Sequence, residues 1–411
     1  MEAKEGSSLK LEVISKIDLN DKNYATEIHS ENNFDTPSET IEVKVSEKVK
    51  QKLDNLKINL KHDLHTFRKL AGFLKSKENN FKRTANLIKA TINWKVFKAQ
   101  KLDTYPISMV ICPGNVCNLH CKLCPVGLGD DGRNRGMMDF EIFKQIIDEC
   151  GEYLYRIHLY NWGEPFLNKR IFDMIKYAKK QNIQIIISSN LNIFNEDIAK
   201  GIIESGLDWL VVSLDGASFE SVKAYQHGSD YNKVFKNMKR VVELKSEAKK
   251  ELPLVEWRFV VNKYNEHEIE KARKLSKENG MRLGLIPVFP MTKDDYILKN
   301  GEEQFKEIEQ WLPKNESSLS AFDKKTKKRK SSVPSCTWPW FSSTINWNGA
   351  VTPCCLWSEK FDFGNLKKGT FKENWNNENY QTARAVITNK KIDYSVICQT
   401  CKNNNNQANF F

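Results

Sequence analysis

Between residues 105 and 292 the chain alternates six times between short aliphatic, β-branched runs and stretches with apolar residues at helical spacing. The runs are ISMVIC (107–112), Arg156 to Tyr160, IQIIISS (183–189), LDWLVVSLD (207–215), VEWRFVV (255–261) and MRLGLIPVF (281–289). The third is apolar almost without a break, which suits a parallel strand covered on both faces. Asp139 is placed to cap a helix whose Phe143, Ile146, Ile147 and Cys150 share one face. Residues 166–180 turn Ile171, Ile175 and Ala178 inward, and Asn195 caps a third helix that ends at Gly206. Helices follow at 231–249 and 266–279, the last ending at Gly280. Such alternation predicts a parallel sheet with right-handed crossovers. Six strands are too few to close an eight-stranded barrel, so the expected fold is α/β, an open, partial (β/α)6 barrel. Functional groups of such sheets gather at the C-terminal ends of the strands.

Cysteine usage points to chemistry at those ends. The first residues, MEAKEGSSLKLEV, lack the basic-then-apolar pattern of a secretory signal, and ten cysteines in such a chain do not suggest disulfides. Eight of them fall into two groups, 117–124 and 336–401, a clustering that favours metal sites. Cys112 ends an apolar run and Cys150 lies on an apolar helix face, so both read as core. Cys117, Cys121 and Cys124 form C-x3-C-x2-C directly after the first strand. Thiolates are soft ligands that select zinc, copper(I) or iron–sulfur clusters. A 4Fe–4S cluster normally takes four of them; three leave one iron open, as a catalytic rather than a sealed centre requires. A Cys3His zinc knot using His120, or three buried cysteines, is the plainer alternative.

The second strand ends in Asn161-Trp162-Gly163-Glu164-Pro165. The cysteine spacing resembles that of the radical S-adenosylmethionine (SAM) superfamily, and this segment resembles the family's Gly-Gly-Glu-Pro turn, with Trp-Gly in place of Gly-Gly. The resemblance implies a cluster at Cys117, Cys121 and Cys124 that cleaves SAM reductively to methionine and a 5′-deoxyadenosyl radical, which abstracts hydrogen from a substrate. It implies that backbone at Gly163 and Glu164 binds the SAM amino group. It also implies that Ser189 and Asn190, ending strand three, and Ser213 and Asp215, ending strand four, hold ribose and carboxylate. Local capping of β–α turns explains those polar residues equally well. Arg258 on strand five, with Asn262 nearby, is a candidate partner for the SAM carboxylate, since a guanidinium matches that geometry. Ile286 and Val288 suit adenine packing or core packing.

The second group reads Cys336, twelve residues, Gly349, four residues, Cys354, then Cys398-Gln399-Thr400-Cys401. Asn348-Gly349 signals a hairpin between SSTINW and AVTPCC. The pattern resembles the SPASM/twitch extension of radical SAM enzymes, which implies an auxiliary 4Fe–4S cluster. With too few cysteines for a second one, a single auxiliary cluster on Cys336, Cys354, Cys398 and Cys401 is expected, with Cys355 as the alternative to Cys354. The pattern alone also allows a four-Cys zinc site. The extension is expected to cover the open side of the barrel, where the cluster would accept an electron from the substrate radical or hold the substrate.

The expected organisation is a polar segment over 1–60, a helical segment over 61–104, the barrel over 105–292, a helix and basic linker over 293–333, and the cysteine-rich domain over 334–411. LKLEVIS (9–15) and TIEVKVS (40–46) read as short strands or as disorder. Peptide-modifying relatives often carry a leader-peptide-binding domain in that region. Leu70, Phe73 and Leu74, then Ala85, Ile88, Ile92 and Val96, recur at helical spacing and are expected to form a layer packed on the main domain, with a surface-binding helix as the alternative. The net charge of +12 is concentrated in 61–100 and in DKKTKKRK (323–330), which reads as solvated linker charge. There is no nucleic-acid-binding motif, and no apolar run reaches the length of a membrane span. The expectation is a cytoplasmic enzyme. Its substrate is a peptide or a sugar or polyol, and the family implies a reductant such as flavodoxin or ferredoxin. The competing reading is a zinc-stabilised cysteine-rich binding protein without catalysis. No catalytic acid or base is assigned.

Overall fold

The computed structural model describes residues 66–129, 132–288, 301–315, 322–323, 325, 327, 335–355 and 358–404. The predicted strands at 9–15 and 40–46 lie outside these residues, as does most of the basic run 323–330. Six strands stand side by side in chain order, each parallel to the next: β1 (Ser108–Ile111), β2 (Arg156–His158), β3 (Gln184–Ser189), β4 (Trp209–Ser213), β5 (Leu254–Val261) and β6 (Arg282–Pro287).

Helical residues 66–74 (α1) and Phe81–Ile92 (α2) precede the sheet, and α2 runs on as a π-turn over Asn93–Phe97. A single turn, α3 (Pro125–Leu128), follows the cysteine loop. The crossovers are α4 (Phe140–Cys150), α5 (Ile171–Lys179), α6 (Glu196–Glu204), α7 (Phe219–Tyr225) with α8 (Tyr231–Glu247), and α9 (Ile269–Glu278). The expected caps act as such: the Asp139 carboxylate accepts from Glu141 N at 2.8 Å and the Asn195 side chain from Ile198 N at 2.8 Å. Each satisfies an N–H that the first helical turn leaves without an intrahelical acceptor.

The sheet's two faces differ in chemistry. Ile157, Ile185, Ile187, Leu210, Val212 and Phe259 are buried against the inner residues of the crossover helices, among them Ile147, Ile175, Ile202 and Met238. The other face alternates with them and carries Arg156, His158, Gln184, Ser188, Ser213, Glu256 and Arg258. These pair with one another: Arg156 donates to Gln184 at 2.6 Å, and Arg258 donates to Glu256 at 2.9 and 3.1 Å. The Ser188 and Ser213 hydroxyls are 3.3 Å apart. A wholly structural sheet face would be apolar; this one is lined for polar contact.

The C-terminal part continues the sheet from its β1 edge. After α10 (Gly301–Ile308) and α11 (Trp338–Phe341), β7 (Ser342–Ile345) pairs parallel with β1, in register from Ser108↔Ser342 to Ile111↔Ile345. The hairpin partner β8 (Ala350–Thr352) and then β9 (Gly364–Asn365) add antiparallel strands, giving nine in the order β6-β5-β4-β3-β2-β1-β7-β8-β9. The reason is backbone pairing. β1 would otherwise present a bare row of N–H and C=O groups; β7 takes that edge, and Ile107 N and Cys112 N donate to Phe341 and Ile345 carbonyls beyond either end. Helices α12 (Phe371–Trp375), α13 (Glu378–Ile387) and α14 (Ile397–Asn403) complete the unit. Cys398 and Cys401 sit one turn apart on α14.

A second departure concerns α2. The pattern Ala85, Ile88, Ile92, Val96 was expected to face the core, and all four are exposed. The buried face instead holds Arg83, Asn86, Leu87, Ala90 and, in the π-turn, Trp94. Polar side chains decide the orientation. The Arg83 guanidinium donates to the carbonyls of Glu78, Gln181 (2.6 Å), Asn182 (2.9 Å) and Gly151 (3.0 Å), tying α2 to the C-terminal ends of α4 and α5. Asn86 exchanges two 2.9 Å bonds with the Tyr105 backbone. Arg83→Met keeps the stem but strands buried carbonyls, and should lower unfolding free energy by about 3 kcal/mol or more. Denaturant melting measures this; an unchanged midpoint would show that the clamp does not orient α2.

Candidate active site: two thiol centres linked through one turn

The loop after β1 carries Cys117, Cys121 and Cys124, and its path is fixed by backbone. His120 N and Lys122 N donate to the carbonyls of His227 (2.9 Å) and Tyr225 (3.1 Å), which follow and end α7. Glycine brings α3 against the loop: a Cβ on Gly127 would lie 2.6 Å from Cys121 N. None of the ten cysteines is in a disulfide. Burial pushes the Cys117 thiol up to about 11 and that of Cys121 well above the usual thiol range. Negative neighbours add to this, Glu164 and Cys124 for Cys117, and Cys124, Asp215 and Cys117 for Cys121. Two thiols that resist ionisation beside a third on one short loop suit a cationic centre that accepts them as thiolates.

The turn after β2 locks onto this loop. Gly163 has φ +92, and a Cβ there would lie 2.5 Å from Gly114 O and 2.8 Å from Val116 O. Only glycine passes so close in that conformation without strain. Glu164 N donates to Val116 O at 2.8 Å. The Glu164 carboxylate is wholly engaged: it accepts from Ser189 Oγ (2.8 Å), Asn190 N (2.8 Å) and Phe166 N (3.1 Å). Burial raises its pKa to about 7 against the pull of those donors. The end of β3 is thereby fastened to the turn. Asn190 Nδ2 reaches Cys117 Sγ at 3.8 Å and Asn118 Oδ1 at 3.0 Å. The structure thus brings Gly163, Glu164, Ser189 and Asn190 together beside Cys117. In the same turn, Asn161 Nδ2 is buried with no hydrogen-bond partner, an unused donor facing no protein acceptor.

The remaining predicted residues stand one strand further away. Ser213 and Arg258 are register partners on β4 and β5. Arg258 already has Glu256 and the Tyr160 hydroxyl as partners. Asp215 Oδ1 accepts from Val260 N at 2.7 Å, and burial raises this carboxyl to about 7, opposed by Val260 and Arg258. Asn262 is fully buried in a turn with Asn265, so its side chain shapes backbone. Val288 belongs to a satellite core with Leu123, Phe305 and Trp311, while Ile286 is exposed.

The second centre is a small cavity of about 30 Å³ lined by Cys336, Cys354, Cys398 and Cys401 together with Trp338, Pro339, Pro353, Ile387 and Ile397. Cys355 is exposed and does not line it. Burial drives the Cys354 and Cys398 thiols well above the ordinary range. Cys336 and Cys401 oppose ionisation of both, Cys355 and Cys398 that of Cys354 as well. The donor set again suits a cationic centre, here with four sulfurs and an apolar wall. Among the described residues no three His, Cys, Asp or Glu side chains converge on a single metal-ion position. Thiolates of a cubane cluster bind different irons and need not do so.

Sequence reasoning passed over the contacts between the centres. Trp162 Nε1 donates to Cys355 O at 3.2 Å, joining the β2 turn to the loop that carries Cys354. Trp347 covers Gly136 and donates to Asn134 O at 3.1 Å. Arg133 pairs with Asp362 and Asn348. The only prior signal was the Trp standing where the family turn has glycine. Tyr225, whose hydroxyl is pushed well up by burial and by Asp215, Cys121 and Cys124, had no signal in the sequence.

A parallel partial barrel with a three-thiol loop after its first strand, extended by a four-thiol unit, defines the radical SAM class. Residues 111–276 match the radical SAM superfamily and residues 336–402 the iron–sulfur cluster-binding SPASM domain. The chain is a radical SAM enzyme with a SPASM domain, and its cofactors are SAM and 4Fe–4S clusters. It is similar to a tungsten-containing aldehyde ferredoxin oxidoreductase cofactor-modifying protein of Pyrococcus furiosus, 25% identical over 303 residues, 66% of this chain and 82% of that one. A GTP 3′,8-cyclase of Clostridium botulinum is 26% identical over 195 residues, 47% of this chain and 59% of the cyclase. The fold resembles that of Streptococcus suis SuiB bound to S-adenosylmethionine, with TM-score 0.53, 16% identity, and coverage of 79% of this chain and 78% of SuiB.

Proposed function

We propose that Cys117, Cys121 and Cys124 hold the SAM-binding cluster, that Cys336, Cys354, Cys398 and Cys401 hold one auxiliary cluster, and that the enzyme oxidises a polar substrate, a peptide segment or a sugar or polyol. The observation that carries this reading is the unequal ligand count, three thiols in one centre and four around the other. An open centre serves chemistry on a bound group, and a closed one serves electron transfer or stability. When bound, the open cluster supplies the electron that cleaves SAM, and the closed one supplies an acceptor for the electron that the substrate radical must lose.

The chain's own residues do the rest. Gly163 lets backbone approach the cysteine loop, and Glu164 holds the ends of β2 and β3 together without offering a free carboxylate. Asn161 Nδ2 is a donor left over for the amino-acid part of SAM. Ser213 and Arg258 lie on the polar sheet face, where Arg258, Tyr160 and His158 would meet substrate or the SAM carboxylate. Burial, then Arg156 and Arg258, push the His158 imidazole down to about 3, so it stays neutral at working pH. A peptide substrate has a precedent in fold only: SuiB has been solved bound to its precursor peptide SuiA.

Iron and acid-labile sulfide after anaerobic reconstitution test the assignment. About eight irons per chain are expected, four per cubane. Saturation near four, unchanged on replacing Cys398 and Cys401, would show that the second centre holds no cluster, and zinc in place of iron would favour the binding-protein reading.

A further inference from the structure

The outward face of α2 and its π-turn carries an apolar stripe that the chemistry does not use. Phe81 is 86% exposed, Ile88 50%, Ile92 40%, Val96 68% and Phe97 64%. At about 100° per residue, positions 81, 88 and 92 fall within roughly 40° of one another, and the stripe to Val96 runs about 22 Å. The helix cannot roll to bury it without breaking the Arg83 and Asn86 hydrogen bonds on the inner face.

Lysines flank the stripe: residues 66–98 contain nine Lys and Arg against one acid, Glu78, and of these Lys82, Lys89, Lys95 and Lys98 stand on α2 and its turn outside the buried face, whereas Arg83 points inward. Lys82 and Lys89 flank it in surface pairs with Glu152 and Asp103, contacts that are weak and screened by salt. Lys95 lies 4.6 Å over the Trp94 ring, and Lys98 ends the turn. Side chains protrude from the helix cylinder, whereas an extended peptide is taken up by a groove or a free sheet edge. A bilayer headgroup layer has the opposite preference, since it takes protruding apolar side chains to shallow depth and attracts lysines at their margin.

We propose that this face docks on an anionic lipid bilayer, with Phe81, Ile88, Ile92, Val96 and Phe97 entering the acyl boundary and the surrounding lysines meeting the headgroups. Among the described residues no helix is long and apolar enough to cross a membrane, so the contact is one of lying on the surface.

The test is co-sedimentation of the full-length, anaerobically purified protein with vesicles of phosphatidylcholine alone or mixed with phosphatidylglycerol. Binding to the mixed vesicles, weakened by salt and absent from phosphatidylcholine alone, is expected. Phe81→Ser, Ile88→Ser, Val96→Ser and Phe97→Ser combined should weaken it by more than about tenfold. Lys95→Gln and Lys98→Gln should each cost about fivefold. All six positions are outside the core, so circular dichroism and iron content should not change. No partition of the parent protein, or equal partition of the serine variant, overturns the proposal. So does loss in that variant of a dimer, or of binding to an acidic amphipathic peptide, when neither protein partitions to vesicles; the stripe would then be a protein interface.

Discussion

Replacing Cys117, Cys121 and Cys124 together by alanine is expected to abolish reductive cleavage of SAM while the four-thiol centre still loads. The two centres share no ligand: one lies on the loop after β1, the other between the β8 end, the α11 approach and α14. The loop is held by backbone donors at His120 and Lys122 and by Gly163 and Glu164, none of which the substitutions remove. The variant should therefore fold, keep about four irons and form no 5′-deoxyadenosine above background when dithionite is supplied. Undiminished 5′-deoxyadenosine from this variant would remove the assignment of the open centre.

Cys398→Ala with Cys401→Ala should act in the converse way. SAM cleavage should stay within about twofold of the parent, while conversion of the physiological substrate falls by about a hundredfold or more, some 3 kcal/mol in barrier. The argument rests on placement. The Cys354 loop is tied through Trp162 to the β2 turn, which also holds the three-thiol loop, so the two thiol groups are joined through one turn while sharing no residue. The rival view is a structural centre, since four-thiol sites often stabilise small domains. The expected signature is uncoupled 5′-deoxyadenosine with a melting temperature near that of the parent. A folded variant that cleaves SAM and turns over substrate at the parent rate would leave the second centre with no part in the chemistry.

Much of this architecture follows from short-range pattern. The six apolar runs, the caps at Asp139 and Asn195, the Asn348-Gly349 turn and the two cysteine spacings each involve residues a few positions apart. Local sterics and hydrogen bonding determine such features directly. Five of the six observed strands are shorter than their runs, because pairing stops where the chain turns into the loops that carry the site; β5 is one residue longer than its run.

What the sequence by itself determined was the partial barrel, the thiol groups and the strand ends at which they act. Only the tertiary structure decided that Cys354 faces the cavity and Cys355 faces out, that Glu164 is a fastener between strands, that β7 extends the sheet from β1, and that α2 turns its apolar stripe to solvent. The last shows why. Apolar spacing says which residues share a face, but which face is buried depends on partners far along the chain. Arg83 finds carbonyls at Gly151, Gln181 and Asn182, the last 99 positions away, and a buried guanidinium with several acceptors outweighs a few exposed aliphatic side chains.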